Sequence, residues 1–557
     1  MKKIWQIIET NNENIEKISK EYNISTMLAS LLVNRKVPEN KINTFLNPTR
    51  NDFYSPLLMK DMKRAVDRLV KAIKEQEKII IYGDYDVDGI TSIAVLKQYL
   101  EERGLVTDYY IPNRLEEGYG LNKEAIEKIS KQGYKLMITV DCGISSAEEI
   151  EYAKELGIET IVTDHHEPPE QIPNTIAVIN PKRKDCEYPC KVLAGVGVVF
   201  KFIQAINIEF KLEEKEFLKY LDLVCIGTIS DIVPLLDENR TITNLGMKLL
   251  KMTNNIGIKA ILKQCGYKEI NGATVSFGIA PRINACGRMG YEKDGIELFL
   301  SKNINDVEEI AKKLGEYNNK RQEVERKIFE EAKEKVVLDE KAIVLGEENW
   351  NHGVIGIVAS KLVQEFYKPT VLLCFEEGIG KGSGRSIHGV DLHNILQNTT
   401  KYLEHYGGHE MAVGLSLKKE NFSDFKKAFQ NIIEEMNISD AEPTIFIDNN
   451  ITLREISVEL INEIKKLEPF GEANELPKFM IKNIKIDSIR TLSEGKHIKL
   501  TLKEENNIID AIGFNIGNII DEYKLGDKVD LVANLEINNF RDEEKVQLNI
   551  KDIIHSV

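Results

Sequence analysis

Apolar residues along this chain fall into distinct rhythms. From about residue 55 to 235, short unbroken runs alternate with stretches whose apolar positions recur at helical spacing. The runs include Lys78-Ile79-Ile80-Ile81-Tyr82-Gly83, Leu136-Met137-Ile138-Thr139-Val140 and Thr160-Ile161-Val162-Thr163. Met62, Ala65, Val66, Leu69, Val70 and Ile73 show the helical spacing. Unbroken β-branched runs read as strands buried on both faces, and their alternation with helices predicts a doubly wound, parallel-sheet α/β domain. The mostly helical residues 236 to about 300 are expected to belong to it.

The flanking regions read differently. Residues 1–50 are polar and helical in pattern, closing at the turn-like Phe45-Leu46-Asn47-Pro48. From Asn305 to Val337 the chain is charged, with Ile310, Leu314, Val324, Ile328 and Ala332 along one long helix of the kind that links domains. A second, smaller α/β region begins at Ala342-Ile343-Val344-Leu345, continues through Pro369-Thr370-Val371-Leu372-Leu373, and holds a Gly-rich stretch near Gly378–Gly384. After Glu442-Pro443 come short alternating runs, among them Ile445-Phe446-Ile447, Ile498–Leu502, Ile508–Ile512, Val529–Ala533 and Val546–Ile550. Frequent short strands fit a five-stranded oligonucleotide-binding (OB-like) β-barrel, and other small barrels fit as well. The expected organisation is therefore a helical segment 1–50, a first α/β domain 51–303, a linker helix 304–338, a second α/β domain 339–441 and a barrel 442–557.

At 557 residues, several domains are required, and 42% hydrophobic with 29% charged residues is ordinary globular composition. A net charge of −15 argues against indiscriminate coating of nucleic acid, but bound cations reverse the sign of an acidic site locally. Seven scattered cysteines, with Cys186 and Cys190 the one close pair, complete no zinc ribbon and fit reduced thiols. Glu9, Asn11, Asn12 and Glu13 interrupt any leader-like stretch, and no apolar run is long enough to span a membrane. A cytoplasmic protein is expected.

The ends of the apolar runs carry the chemistry. The first run leads into Asp84-Tyr85-Asp86-Val87-Asp88-Gly89, the second ends at Asp141, and the third at Asp164-His165-His166. A fourth, Leu221–Ile229, ends at Asp231. Strand carboxyl ends form the ligand crevice of such sheets, so these groups should meet at one edge. Alternation nominally places Asp84, Asp86 and Asp88 on one face. A calcium loop counted from Asp84 would need an acid where Val95 stands. Hard oxygen donors with imidazole instead suit two manganese or magnesium ions and phosphoester hydrolysis.

Those segments, in order, resemble the motifs of the DHH phosphoesterase superfamily. Pro281-Arg282-Ile283-Asn284-Ala285-Cys286-Gly287-Arg288-Met289, His352-Gly353-Val354-Ile355-Gly356, Gly382-Ser383-Gly384-Arg385-Ser386, Gly407-Gly408-His409 and Leu467-Glu468-Pro469-Phe470-Gly471 are similar to its RecJ branch, the single-strand-specific DNA exonucleases. The resemblance implies 5′-to-3′ release of mononucleotides in recombination and repair. It implies that Asp141 is shared between two ions, with Asp84 and Asp86 on one side and Asp88, His165 and Asp231 on the other. It casts Asp141, Asp84 and His166 as catalytic, although for His166 a purely structural hydrogen bond remains the alternative. Arg114, Ser383 and Arg385 would receive a terminal phosphate, against an Arg114 ion pair with Glu116 or Glu117. Arg282, Asn284, Arg288 and His409 would contact the strand. The implied partners are single-stranded DNA, a RecQ-type helicase and a single-strand-binding protein, with no membrane. The family often has His where Tyr82 stands, which leaves the first ion with one fewer ligand. Phe479, Phe514 and Phe540 offer either stacking surfaces or barrel core. The rival readings are a phosphodiesterase for short oligonucleotides and a replication scaffold without activity.

Overall fold

The computed structural model describes residues 3–114, 117–436, 442–540 and 543–556. They divide into two compact units. One comprises Ser55–Asp231 and Lys248–Pro443; the other comprises Lys3–Tyr54, Ile232–Met247 and Thr444–Val557. Among the described residues no helix is long and apolar enough to cross a membrane. All seven cysteines are free thiols.

In the first unit, five parallel strands are β1 (Ile79–Gly83), β2 (Thr107–Tyr110), β3 (Leu136–Val140), β4 (Glu159–Thr163) and β5 (Ala177–Ile179). Their order is β2-β1-β3-β4-β5, so the winding reverses between β1 and β3. Every residue of β1 and β3 is buried, as their unbroken apolar character requires. Helix α1 (Met62–Glu75) is amphipathic and turns Met62, Ala65, Val66, Leu69 and Ala72 inward. Three further helices, α2 (Val87–Glu101), α3 (Gly195–Glu209) and α4 (Leu221–Ser230), are apolar nearly all round and correspondingly buried. The run Leu221–Ile229 is thus a helix, and Asp231 caps its carboxyl end.

Helix α5 (Ala280–Arg288) precedes the 31-residue α6 (Ile304–Glu334). The far end of α6, through Ile328 and Ala332, packs on α7 (His352–Phe366) in a cluster with Trp350, Val354, Ile355 and Val358. A second sheet holds β6 (Ile343–Glu347), β7 (Thr370–Glu376), β8 (Ile379–Arg385), β9 (His405–His409) and β10 (Ala412–Lys418), in the order β9-β10-β8-β7-β6. The Gly-rich stretch is therefore a strand. A Cβ at Gly380, Gly382 or Gly384 would come within 3.0 Å of Phe375, Leu415 or Val413, respectively. These glycines let the sheet close on its core, and the intervening Lys381, Ser383 and Arg385 face the other way.

In the second unit, β11 (Phe479–Leu492), β12 (His497–Glu504), β13 (Asn507–Gly513), β14 (Lys528–Phe540) and β15 (Glu543–His555) form a closed barrel, because β14 pairs back onto β11. Its core gathers Phe479, Ile481, Ile498, Leu500, Leu531 and Leu548. Phe479 is therefore core, Phe514 is exposed beside His497, and the Phe540 side chain lies outside the described residues. Sequence pattern and structure differ at three places here. Residues 1–50 contain a strand, Ile4–Ile7, that pairs in parallel with Thr444–Ile447, so Ile445-Phe446-Ile447 stands outside the barrel. Residues 232–247 cluster with the barrel rather than with the parallel sheet. Expected as one helical segment, the N-terminal region contributes separate helices, whose Ile18, Leu28 and Leu31 join the barrel's apolar cluster.

Arg240 ties these segments together. It is 1% exposed, donates to the carbonyls of Phe45 (2.5 Å), Leu467 (2.8 Å) and Lys466 (3.1 Å), and lies 3.8 Å from the Phe45 ring centroid. Burial, and secondarily Arg35, lower its pKa to about 9. Arg240→Met should strand those carbonyls and cost about 3 kcal/mol. In a Trp350→Phe background Trp5 becomes the sole indole, since the chain has two tryptophans, and the urea midpoint of its fluorescence should fall. An unchanged midpoint would refute the role.

Candidate metal centre

The acidic loop owes its shape to a strand running directly into a helix. Asp86 is the N-cap of α2, its Oδ1 accepting from the Asp88 (2.9 Å) and Gly89 (3.1 Å) amides. Asp88 consequently sits in the first helical turn, not on an extended face with Asp84 and Asp86 as alternation suggested. A Cβ at Gly89 would fall 2.4 Å from the Asp84 carbonyl oxygen, so the turn demands glycine. At the end of β3, Asp141 takes the left-handed conformation (φ 58°), and its amide donates to the Thr163 carbonyl at 3.0 Å.

Sequence reasoning overlooked the start of α3. The Gly195 and Val196 amides donate to the two oxygens of Asp88 at 2.6 and 2.8 Å. A Cβ on Gly195 would lie 2.5 Å from Asp141 Oδ1. The signal was present as Ala194-Gly195-Val196-Gly197 ahead of an apolar run, an arrangement suited to holding an anion on exposed amides.

These elements bring all six expected ligands into two groups. Ligand atoms of Asp84, Asp86 and Asp141 lie within 4.8 Å of one another, as do those of Asp88, His165 and Asp231. His165 Nε2 joins them, 3.2 Å from Asp141 Oδ1, 3.5 Å from Asp231 Oδ2 and 3.8 Å from Asp88 Oδ2. Asp84 Oδ1, Asp141 Oδ1, His165 Nε2 and Asp231 Oδ2 are buried without a hydrogen-bond partner among the described residues. Burial, reinforced by neighbouring carboxylates, raises Asp84 and Asp141 well above the carboxylate range, Asp88 to about 7 and Asp231 to about 9. Burial lowers His165 to about 3, so its imidazole is neutral with a lone pair to give. Unpartnered hard donors around a neutral imidazole fit divalent cations such as manganese or magnesium.

Asp164 plays a different part. Fully buried, it accepts from the amides of Ile144 (2.9 Å), His165 (2.7 Å) and His166 (3.1 Å) and binds His166 Nδ1 at 2.8 Å. It thereby fixes the His pair instead of reaching the ligand groups. Although burial opposes protonation of His166, the hydrogen bond and charge of Asp164 outweigh it and raise the pKa. Tyr119, also missed from sequence, places its hydroxyl 3.3 Å from His166 Nδ1 and 3.4 Å from the Asp141 carbonyl. Tyr82 faces the core, stacked on Tyr110 with its hydroxyl donating to the Gly120 carbonyl at 3.1 Å. It offers the metal groups nothing.

A cavity of about 980 Å³ opens beside the ligands, lined in part by Tyr119, His166, Arg114, His352, Lys381 and His409. The Arg114 guanidinium lies 4.8 Å from the Tyr85 ring centroid and makes no ion pair among the described residues. Glu117 is engaged by Tyr110 and the Asn113 amide, and Glu116 lies outside the described residues. Arg385 donates to Ser383 Oγ at 2.9 Å, and Arg288 to the Gly353 carbonyl at 2.7 Å. Burial, then the charges of Arg114, Arg321 and Arg385, bring Arg288 down to about 9. His352 is lowered to about 4 by burial, Lys381 and Arg114. Arg282 donates to the Gly278 carbonyl at 2.7 Å, while Asn284 Oδ1 accepts the Val87 amide at 3.2 Å and so braces the acidic loop.

Comparison with known proteins gives this geometry a lineage. Family models match in order along the chain: the DHH family N-terminal domain over residues 78–228, the DHHA1 domain over 339–435 and the RecJ OB domain over 447–552. The single-stranded-DNA-specific exonuclease RecJ of Bacillus subtilis (strain 168) is 40% identical over 558 residues, covering 98% of this chain and 70% of that one. The Haemophilus influenzae protein of the same name is 33% identical, covering 92% and 93%. The crystal structure of RecJ in complex with Mn2+ from Thermus thermophilus superposes with a TM-score of 0.88 at 25% identity, covering 100% of this chain and 80% of that one. With its ligand groups at the sheet edge, a barrel after them and curated relatives at 33–40% identity over 70–93% of their length, the chain belongs to the RecJ family of single-stranded-DNA-specific exonucleases.

Proposed function

We propose that this protein is a metal-dependent exonuclease that removes 5′-mononucleotides from the 5′ end of single-stranded DNA during recombination and repair. The observation that carries the reading is the meeting of two ligand groups at Asp141 and His165, beside a cavity where Arg114 and Lys381 make no ion pair among the described residues. Catalysis rests on residues 51–303 apart from 232–247, end recognition on 339–441 and grip on the strand on the C-terminal barrel unit, 442–557, with helix 304–338 between and residues 1–50, whose helices pack with the barrel, ahead. A RecJ-type barrel disfavours a phosphodiesterase confined to short oligonucleotides, and intact ligands disfavour an inactive scaffold. Unpaired strands are exposed by helicases and coated by single-strand-binding proteins in the cytoplasm, so a RecQ-type helicase and such a protein are its partner classes.

Asp84, Asp86 and Asp141 would hold one manganese or magnesium ion, and Asp88, His165 and Asp231 the other, with Asp141 shared. When bound, the cations supply an acidified water and offset charge developing on the phosphoryl oxygens. Gly195 and Val196 fix Asp88 through their amides, which keeps it from rotating away. His166, with Nδ1–H donated to Asp164, presents Nε2 to a phosphate or leaving oxygen. Arg114, Ser383 and Arg385 receive the terminal phosphate, because forked guanidinium donors and a hydroxyl match a dianion. Arg282, Arg288 and His409 lie further along the strand, while Asn284 acts on it through the loop it braces.

Asp141→Ala should reduce hydrolysis of an end-labelled single strand in manganese by at least about a thousandfold, as loss of charge-stabilising groups does. Its circular dichroism should match that of wild type; undiminished turnover would defeat the assignment. The crowded acids also set a pH dependence. Folded pKa values of about 7 for Asp88 and about 9 for Asp231 exceed the unfolded value of about 3.9. The folded state therefore binds more protons, and metal-free stability falls as pH rises from about 4 towards about 9. The manganese-induced rise in Tm over protein in EDTA should accordingly be larger at pH 8 than at pH 5.5; an equal rise would contradict it. Arg385→Met should abolish the preference for a 5′-phosphorylated over a 5′-hydroxyl strand, measured as the ratio of kcat/KM. Retention of that ratio would remove Arg385 from the pocket.

A further inference from the structure

His166 is held on one side by Asp164, and the neighbouring strand gives it a second hold. Upstream, Asp164 accepts the His166 amide at 3.1 Å and fixes its ring at Nδ1. Downstream, the chain runs into Glu167-Pro168-Pro169, where two successive residues have no amide to donate. No helix or strand forms between β4 and β5. Local backbone pairing therefore does not set where His166 lies.

Asn180 does. The pairing of β4 with β5 continues one step past the strands, with the Asp164 amide donating to the Ile179 carbonyl at 3.0 Å. Pro181 disfavours a helical turn at the residue before it, so Asn180 prolongs the extended line of β5. Its Nδ2 donates to the His166 carbonyl at 2.9 Å, and its Oδ1 accepts the Lys182 amide at 2.8 Å. Asn180 is 0% exposed, so both ends of its amide are engaged out of reach of solvent. Lys182 in turn pairs with Glu167 at 3.1 Å, but those side chains are 25% and 65% exposed and the pair adds little. The buried amide is the stronger rung, and it reaches the residue whose side chain lines the cavity rather than the metal-group histidine before it.

We propose that Asn180 is a positioning residue for hydrolysis: by fixing the His166 carbonyl it completes a three-point hold, at amide, ring and carbonyl, that aims Nε2 at the phosphate or leaving oxygen. The inference rests on the reading of His166 as a group that meets the reacting phosphate. Asp164 alone leaves the residue free to pivot about the bonds it makes, and the third point removes that freedom. Misplacing such a group by about 1 Å is enough to slow a reaction about a hundredfold. His165 does not share this dependence, because Asp164 fixes its amide directly at 2.7 Å.

The test is a double-mutant cycle on turnover of a 5′-phosphorylated single strand in saturating manganese. It pairs His166→Asn with Asn180→Leu, which keeps the branched shape of the side chain and removes its donor. Asn180→Leu alone should lower kcat by about ten- to a hundredfold and leave KM for the strand unchanged. In the His166→Asn background the same substitution should cost less than about twofold, since no ring is left to aim. Equal fold losses in the two backgrounds would overturn the proposal. The manganese-induced rise in Tm of Asn180→Leu should match that of wild type. A diminished rise would show the ligand groups themselves disturbed, and would overturn it equally. Wild-type turnover in His166→Asn alone condemns the reading of His166, whatever Asn180 does. Should Asn180→Leu not melt cooperatively, Asn180→Ser, whose hydroxyl is too short to reach the His166 carbonyl, runs the same cycle with the same expectations.

Discussion

Five carboxylates and one imidazole share a buried corner of this protein, and no protein cation among the described residues pairs with them. Such a concentration of acid is unfavourable in a medium of low polarizability, because each ionised group must be solvated by something. Here the fold supplies only partial compensation: two amides for Asp88 and two for Asp86. The remaining oxygens are left for divalent cations, whose charge turns mutual repulsion into coordination. The surrounding architecture follows from holding these groups together. The reversal of winding between β1 and β3 opens the crevice, α2 and α3 enter it by their amino ends, and α4 delivers Asp231 at its carboxyl end. A carboxylate at a helix carboxyl end opposes the helix dipole, a conflict that a nearby cation offsets.

The buried guanidinium groups invert this electrostatic logic. Arg288 and Arg385 are depressed first by burial and then by the charge of Arg114, with no carboxylate within ion-pair distance among the described residues. The acidic corner thus awaits cations, and the buried guanidiniums await anions. A phosphodiester backbone laid between them satisfies both, with the scissile group towards the metal groups and its neighbours on the guanidinium side. Hydrolysis then depends on registering a strand end, not on reading bases.

Sequence pattern revealed most of this site because parallel strands write their chemistry at their ends. Asp84, Asp141 and Asp164-His165-His166 follow unbroken apolar runs, so their convergence could be read without coordinates. Residues acting through backbone or geometry were harder to read. Asp86 looked like one of three alternating strand acids but caps a helix; Asn284 looked like a strand contact but braces Val87; Gly195 looked like nothing at all. The Gly-rich stretch was not legible as β8 because glycine has low strand propensity, and only the packing of Phe375, Leu415 and Val413 explains its presence. Long-range pairing was equally hidden: no local rule joins Ile4–Ile7 to Thr444–Ile447, or Arg240 to the carbonyls of Leu467 and Lys466.

Net charge completes the physical picture. At −15 the chain gains nothing from diffuse attraction to a polyanion. Attraction must therefore be concentrated where cations make no ion pair among the described residues: Arg114 at the cavity, the buried Arg288 and Arg385, and the ions that the acidic corner recruits. A basic protein would bind anywhere along a strand and need some later step to become selective. An acidic one with buried, unpaired guanidiniums binds strongly only where phosphate can penetrate, and a strand end penetrates a cavity more readily than a continuous or paired segment does. On this argument the acidic surface is part of the selectivity, since it weakens every contact except the productive one.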